Sequence, residues 1–227
     1  MDIQQFIEKM KICEEYLIEY IENQQNDEEN YQKLLNLFKD QNIFNTKHSL
    51  KTLLYIIIKI SNNHIRLTNF NEKIRKIIII CKDHIKKHFL NNELFKLFKN
   101  NKLLILFLLK ENVLTMNSAI ILTMIEGKMK DQKYPEYFMP EIKPLIGEID
   151  DKEDQKYLEI IGNLPDDFDE KRKIGENDDM LYEIIRKDMI EEFISNVKSR
   201  NFELNITIEE SIYETNSFLL KNKQTTL

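Results

Sequence analysis

All of this chain's glycines and prolines lie in one stretch. The four glycines and four prolines fall between residues 127 and 175, and residues 1–126 and 176–227 contain neither. Gly and Pro are the main punctuators of regular structure: Gly frees the backbone, and Pro removes an N–H and clashes with the preceding turn. A stretch of 126 residues with no such break must be divided by capping residues and short polar links. The apolar period then decides between helix and strand. These constraints predict an all-α chain, an array of antiparallel helical hairpins with no sheet. They also divide it in three: a helical array over 1–130, an acidic connector carrying the Pro and Gly residues over 131–177, and a short helical block over 178–227.

Apolar spacing supports the array. Ile3, Phe6, Ile7, Met10, Leu17, Tyr20 and Ile21 recur at helical intervals, as do Tyr31, Leu34, Leu35 and Phe38. Thr46 and Ser49 offer caps to a third helix carrying Leu50, Leu53, Leu54, Ile57 and Ile58. Thr68 or Asn69 can cap a fourth, with Phe70, Ile74, Ile77, Ile78, Cys81 and Ile85 inward. Such a cap accepts a hydrogen bond from an otherwise unpaired N–H of the first turn. The run 77–80 has high β-propensity, but apolar positions continue at 3.6 spacing on both sides, so it reads as helix. Asn91, Asn92, Asn100, Asn101 and Asn112 separate two short helices near 92–99 and 101–111. A further helix begins near 115–117 and is expected to reach about residue 130. In the connector a helix over 152–161 ends at Gly162, and the remainder is expected to be extended or loosely ordered.

Several classes of function find no footing. The longest apolar runs, 55–58, 77–81 and 103–109, are far below the roughly 18 residues a spanning helix needs. The opening Met1-Asp2-Ile3-Gln4-Gln5 has no basic or apolar leader pattern, and two cysteines make no disulfide framework. A cytoplasmic location is expected, with the nucleus as the alternative. Four scattered glycines build neither a phosphate-cradling loop nor a dinucleotide fingerprint. No Gly-x-Ser-x-Gly elbow or His-Glu-x-x-His pair occurs. The acidic pairs Asp150/Asp151, Asp166/Asp167 and Asp178/Asp179 lie in polar segments, where nothing raises a carboxyl pKa for acid–base work. The expectation is no catalytic residue, no cofactor and no enzyme.

Two constellations carry alternatives. Cys81, His84 and His88 share one helix face at i, i+3 and i+7, a thiol and two imidazoles of the kind zinc takes. Against a metal, Cys81 continues a buried run, and Lys82, Lys86 and Lys87 would repel a cation, so no metal site is expected. Charge is also segregated. Residues 51–100 hold 11 Lys or Arg against 3 Asp or Glu, and residues 148–192 hold 7 against 17. Lys73, Arg75, Lys76, Lys82, Lys86, Lys87, Lys96 and Lys99 then form a candidate basic surface for phosphate or an acidic protein. No aromatic interleaving is evident, and nucleic acid is not expected.

One resemblance adds to this. The ankyrin unit runs T-P-L-H-x-A-A, a Gly-led turn, then V-V-x-L-L. Leu94-Phe95-Lys96-Leu97-Phe98-Lys99-Asn100-Asn101 followed by Ile105-Leu106-Phe107-Leu108-Leu109 resembles a degenerate copy, with Asn101 standing where the turn Gly would be. Asn tolerates a left-handed backbone, which makes that exchange reasonable. Met180-Leu181-Tyr182-Glu183-Ile184-Ile185, then Ile190, Phe193 and Val197, resembles a second copy. The opening residues 1–10, Ile60-Ser61-Asn62-Asn63-His64, and residues 210–219 look like the N-terminal helical region of an expanded protist family of ankyrin-repeat proteins. In that family regular repeats follow, opening with a T-x-L signature, and this chain stops at Thr225-Thr226-Leu227, where that signature would begin. The resemblance implies a degenerate ankyrin-like solenoid whose role is non-catalytic: a protein–protein interaction or scaffold module. It also implies an uncovered apolar face at Phe202, Ile206, Ile208, Phe218 and Leu219. The partner and the oligomeric state stay open, and the alternative is a basic-patch adaptor over residues 51–100 that binds nucleic acid or an acidic protein.

Overall fold

The computed structural model describes residues 2–23, 27–63, 70–127, 129, 133–175, 179–180, 183–184, 188–200 and 211–213. Among these residues every regular element is helical and there is no strand. The chain divides into two compact units, one formed by residues 1–99 and 107–115, the other by 100–106 and 116–227. The division falls at 100–116, not at the edge of the Pro- and Gly-containing stretch.

The first unit holds α1 (Ile3–Glu22), α2 (Asp27–Asp40), a 3-10 turn (Ile43–Asn45), α3 (Lys47–Asn63), α4 (Phe70–His88) and α5 (Asn91–Phe98). The helix α1 packs against α2, α3 and α4, and α3 packs against α4. Asp2 opens α1 with a capping box: its carboxylate accepts from the Gln5 N–H at 2.8 Å. Thr46 opens α3 as expected, its Oγ1 accepting from the Ser49 N–H at 3.1 Å. The core follows the expected stripes: Met10, Leu17, Tyr20 and Ile21, joined by Cys13; Leu34 and Phe38; Leu50, Leu53, Leu54 and Ile57; Ile74, Ile77, Ile78, Cys81 and Ile85. The run 77–80 is helix: Ile77 and Ile78 bury with Ile74, Cys81 and Ile85 at 3.6 spacing, while Ile79 of the same run stays exposed on the opposite face. Five of the residues placed at helical spacing are not fully buried: Phe6, Tyr31 and Leu35 are half-buried, and Ile3 and Ile7 are exposed. The exposed pair stands on the first turns of α1, and burial sets in at Met10. The candidate caps Thr68 and Asn69 lie outside the described residues, as do Leu181, Tyr182, Ile185, Phe202, Ile206, Ile208, Phe218 and Leu219.

The helix α6 (Lys102–Lys110) contributes residues to both units. Asn101 does not adopt the left-handed backbone expected of a turn-Gly substitute; the positive-φ residue of this segment is Asn112, at φ 53°. Asn101 is instead the N-terminal cap of α6, its Oδ1 accepting from the Leu104 N–H at 2.9 Å. A short polar side chain serves either end of a helix, and here the buried N–H of the first turn decides which. At the other end Asn112 lets the chain reverse, and the N–H groups of Val113 and Leu114 both donate to the Leu108 carbonyl, at 2.8 and 3.0 Å.

The second unit continues with α7 (Ser118–Ile125), α8 (Tyr134–Tyr137), α9 (Met139–Ile142), a 3-10 segment (Lys143–Glu148), α10 (Lys152–Ile161), α11 (Phe168–Ile174) and α12 (Ile190–Arg200). Asn117 caps α7 through the Ile120 N–H at 2.9 Å, but the helix ends at Ile125, short of the expected residue 130. Glu126 takes an extended backbone and Gly127 follows at φ 49°. The helix over 152–161 and its end at Gly162 match the expectation.

Much of the described remainder of the connector is helical, with extended or irregular backbone left at 149–151 and 163–165. Pro135, Pro140 and Pro144 each sit in the first turn of a short helix, where a missing N–H costs nothing because that group has no intrahelical partner anyway. Tyr134, Tyr137, Phe138, Met139 and Ile142 are almost wholly buried, so this stretch is part of a core. Gly175 ends α11 with the left-handed backbone, φ 73°, that the cap requires, its N–H donating to the Lys171 carbonyl at 3.1 Å. Of the second ankyrin-like segment, Ile184 is buried and Ile190 is exposed.

Candidate functional site

The thiol and imidazoles that could have formed a metal site have other tasks. Cys81 is fully buried in the α4 stripe, and burial pushes its thiol up to about 12. The His84 ring stacks on Phe44 at 4.5 Å and 13°, and His88 Nε2 lies 3.3 Å from the Phe44 carbonyl oxygen. Both histidines therefore hold the 3-10 turn between α2 and α3 against α4. Among the described residues no group of three or more His, Cys, Asp or Glu side chains converges as a metal site would require. Cys13 is buried as well, and burial raises its thiol to about 11. Thiols held this far above neutral pH are protonated and poor nucleophiles.

The expected basic surface separates into three kinds of residue. Lys73 is not on it. Its side chain is buried, and Nζ donates to the carbonyls of Tyr20 (2.9 Å), Ile21 (3.3 Å) and Asn23 (2.7 Å) at the end of α1. The Asp27 carboxylate lies 2.7 Å away at the start of α2, and the Tyr20 ring faces the ammonium at 5.3 Å. A cation placed there satisfies helix-terminal carbonyls and meets the negative end of the α1 dipole. Arg75 pairs with Glu111, Nε to Oε1 at 2.7 Å with a second contact from Nη2, and Lys76 pairs with Glu72 one turn earlier. Lys86, Lys87, Lys96 and Lys99 are exposed, and Lys82 is half-buried.

The helices α3 and α5 do bring cations and aromatic rings together. Lys47, Lys51 and Tyr55 stand at i, i+4 and i+8, one stripe along α3. With Phe89 and with Glu93, Lys96 and Leu97 of α5 they line an open groove of about 240 Å³. Lys47 Nζ donates to both Glu93 oxygens, at 2.9 and 2.7 Å, and lies 5.3 Å from the Phe89 ring centre. The Lys47 hydrogen bond, with a second one from the Leu90 N–H at 3.0 Å, holds the Glu93 carboxyl below the usual range. Lys51 Nζ sits 5.8 Å from the centre of the Tyr55 ring, which is 54% exposed. Among the described residues neither Lys51 nor Lys96 has a carboxylate within ion-pair distance. With three lysines against the single Glu93 carboxylate, the groove keeps a net excess of two positive charges beside accessible aromatic and aliphatic surface.

Sequence reasoning missed this interleaving because it needs two helices. The stripe Lys47-x-x-x-Lys51-x-x-x-Tyr55 was legible as one face of a helix, but its placement opposite α5 was not. A second groove, about 450 Å³, lies where Phe6 and Lys9 of α1 approach Asp40, Asn42, Asn45 and His48. Its polar groups are largely paired locally, as in Asn45 Nδ2 to Asn42 Oδ1 at 3.0 Å and Thr46 Oγ1 to Ser49 Oγ at 3.0 Å.

The second unit buries its own cations. Arg172 forks onto Glu141 at 2.7 and 3.0 Å, donates to the Tyr137 carbonyl at 3.1 Å, and lies against the Phe168 ring. Lys102 is enclosed by the Tyr134 and Tyr137 rings, 5.4 and 5.5 Å from their centres. These are fixed parts of the packing, with no open face for a ligand. No helix among the described residues is long and apolar enough to cross a membrane.

Comparison with family models, with curated proteins and with solved structures finds no match to this chain.

Proposed function

We propose that this chain is a non-catalytic protein-interaction module, an array of helical hairpins related to ankyrin-type pairs. The observation that carries the reading is the α3–α5 groove: an open surface with exposed Tyr55 and a net excess of two positive charges, suited to contact with another macromolecule. It is shallow and lacks a nucleophile–base pair, while both thiols are buried and protonated. The successive short helices α5 and α6, 8 and 9 residues long, are consistent in length with the ankyrin-like segment. Its Asn101 cap departs from the Gly-led turn, so the proposed ankyrin relation rests on helix length and apolar spacing and not on turn geometry.

The test is affinity capture by the full chain from its native cell, with mass spectrometry of what is retained and nuclease treatment in parallel. A defined protein partner that survives nuclease and binds in stoichiometric amount supports the module. Capture that nuclease abolishes assigns the chain to nucleic acid instead and refutes the reading.

A further inference from the structure

Resting on that reading, we infer that the α3–α5 groove binds an acidic peptide segment that presents one apolar or aromatic side chain between carboxylates. The lining sets this chemistry. Lys51 and Lys96, on the two helices, have no described carboxylate within ion-pair distance, and although Glu93 acts on Lys51 from farther off, the three lysines of the lining exceed its one carboxylate by two charges. Between them, the exposed face of Tyr55, the Phe89 ring and half-buried Leu97 offer apolar surface. A volume of about 240 Å³ accommodates one large side chain. A carboxylate on either side of that side chain meets a lysine, and exposed charge pairs of this kind contribute more to specificity and on-rate than to affinity.

The same lining disfavours a polyanion. Lys47 is not free to bind phosphate, since Glu93 takes both of its contacts to the groove wall. The Glu93 carboxylate stays ionised because Lys47 and the Leu90 N–H bind it, and it therefore stands as a fixed negative charge inside the groove. A nucleic-acid backbone needs several unpaired cations in a row, whereas a peptide needs only two and gains from the apolar floor.

The experiment uses the full chain and fluorescence anisotropy with four probes: a labelled peptide containing Asp-Glu-Phe-Asp-Glu, the same peptide with Ser for Phe, the same peptide with amides for carboxylates, and a single-stranded oligonucleotide. The Phe-containing acidic peptide should bind most tightly; the Ser peptide should lose about tenfold, the change expected for one lost contact of about 1.4 kcal/mol, and the amidated peptide, which loses both charge contacts, at least as much. Lys51→Glu combined with Lys96→Glu should abolish binding, and Tyr55→Ser should weaken it severalfold. Lys86→Glu combined with Lys87→Glu, which reverses equal charge on α4, should leave it within about twofold if local pairing and not the diffuse field dominates. All of these positions are exposed, and unchanged helical circular dichroism confirms that the variants fold.

The inference is overturned if the peptide does not bind, if the α4 reversal weakens binding as much as the groove reversal does, or if the oligonucleotide binds more tightly than the peptide. Retention of a captured cellular protein by the Lys51→Glu, Lys96→Glu chain would refute the groove while leaving the interaction module standing.

Discussion

Lys73 gives the strongest single test of how the first unit is held together. It is 3% exposed, and its ammonium bonds three backbone carbonyls at the end of α1 and faces Asp27 at the start of α2. Lys73→Met keeps the length and the apolar stem but removes the cation. Three carbonyls then lose a charged donor, and hydrogen bonds to charged groups contribute roughly 1.5–3 kcal/mol each. Water can reach the end of α1 in part, and methionine recovers some burial, so the net loss is set at about 3 kcal/mol rather than the sum. For a chain of this size that lowers the melting temperature by about 6–12 °C. Asp27→Asn should cost less, about 0.5–1 kcal/mol, because the Asp27 side chain is 47% exposed overall and the amide oxygen can still accept from Lys73. Urea titration followed by circular dichroism at 222 nm measures both. A Lys73→Met chain within about 0.5 kcal/mol of the parent would refute the clamp, since that is the range of an ordinary surface substitution. So would an Asp27→Asn loss larger than the Lys73→Met loss, because the carboxylate and not the carbonyls would then be the main partner.

Three further outcomes are expected. Asn101→Ala should destabilise by about 1 kcal/mol and Asn101→Gly by only a few tenths, the pattern of an N-cap; a stabilising Gly would instead mark a left-handed turn. Arg172→Met should cost roughly 3 kcal/mol, because it leaves the Glu141 carboxylate, 23% exposed, without its fork, and limited proteolysis should show the loss in the second unit first. Cys13 and Cys81 should resist Ellman's reagent at pH 8 until the chain unfolds. Their folded thiols titrate near 11 and 12, above the unpaired value of 9.0, so their contribution to stability is complete below pH 9 and is lost as pH rises through the folded values. A urea midpoint that does not fall between pH 8.5 and 10.5 would contradict this.

Residues that carry the helical fold were legible because their signals are local. Apolar spacing placed α4, the Thr46 cap placed the start of α3, and Gly162 placed the end of α10. The expected loose connector failed for a reason that is also local but ambiguous. Pro135, Pro140 and Pro144 break a helix from inside and suit its first turn, and the sequence does not say which role each one has. What settled it was burial of Tyr134, Tyr137, Phe138 and Ile142, a tertiary fact.

The same division runs through the candidate site. By itself the sequence determined a helical chain with basic residues concentrated in 51–100, because periodicity and charge count need no partner. Only the tertiary structure decided which of those lysines is available. Lys73 meets the carbonyl of Tyr20 from 53 positions away and is enclosed, while Lys51 and Lys96 line one open groove from two helices with no described carboxylate within ion-pair distance. Whether an ammonium is solvated, paired or sealed depends on the groups that packing brings within a few ångströms, and those come from distant parts of the chain.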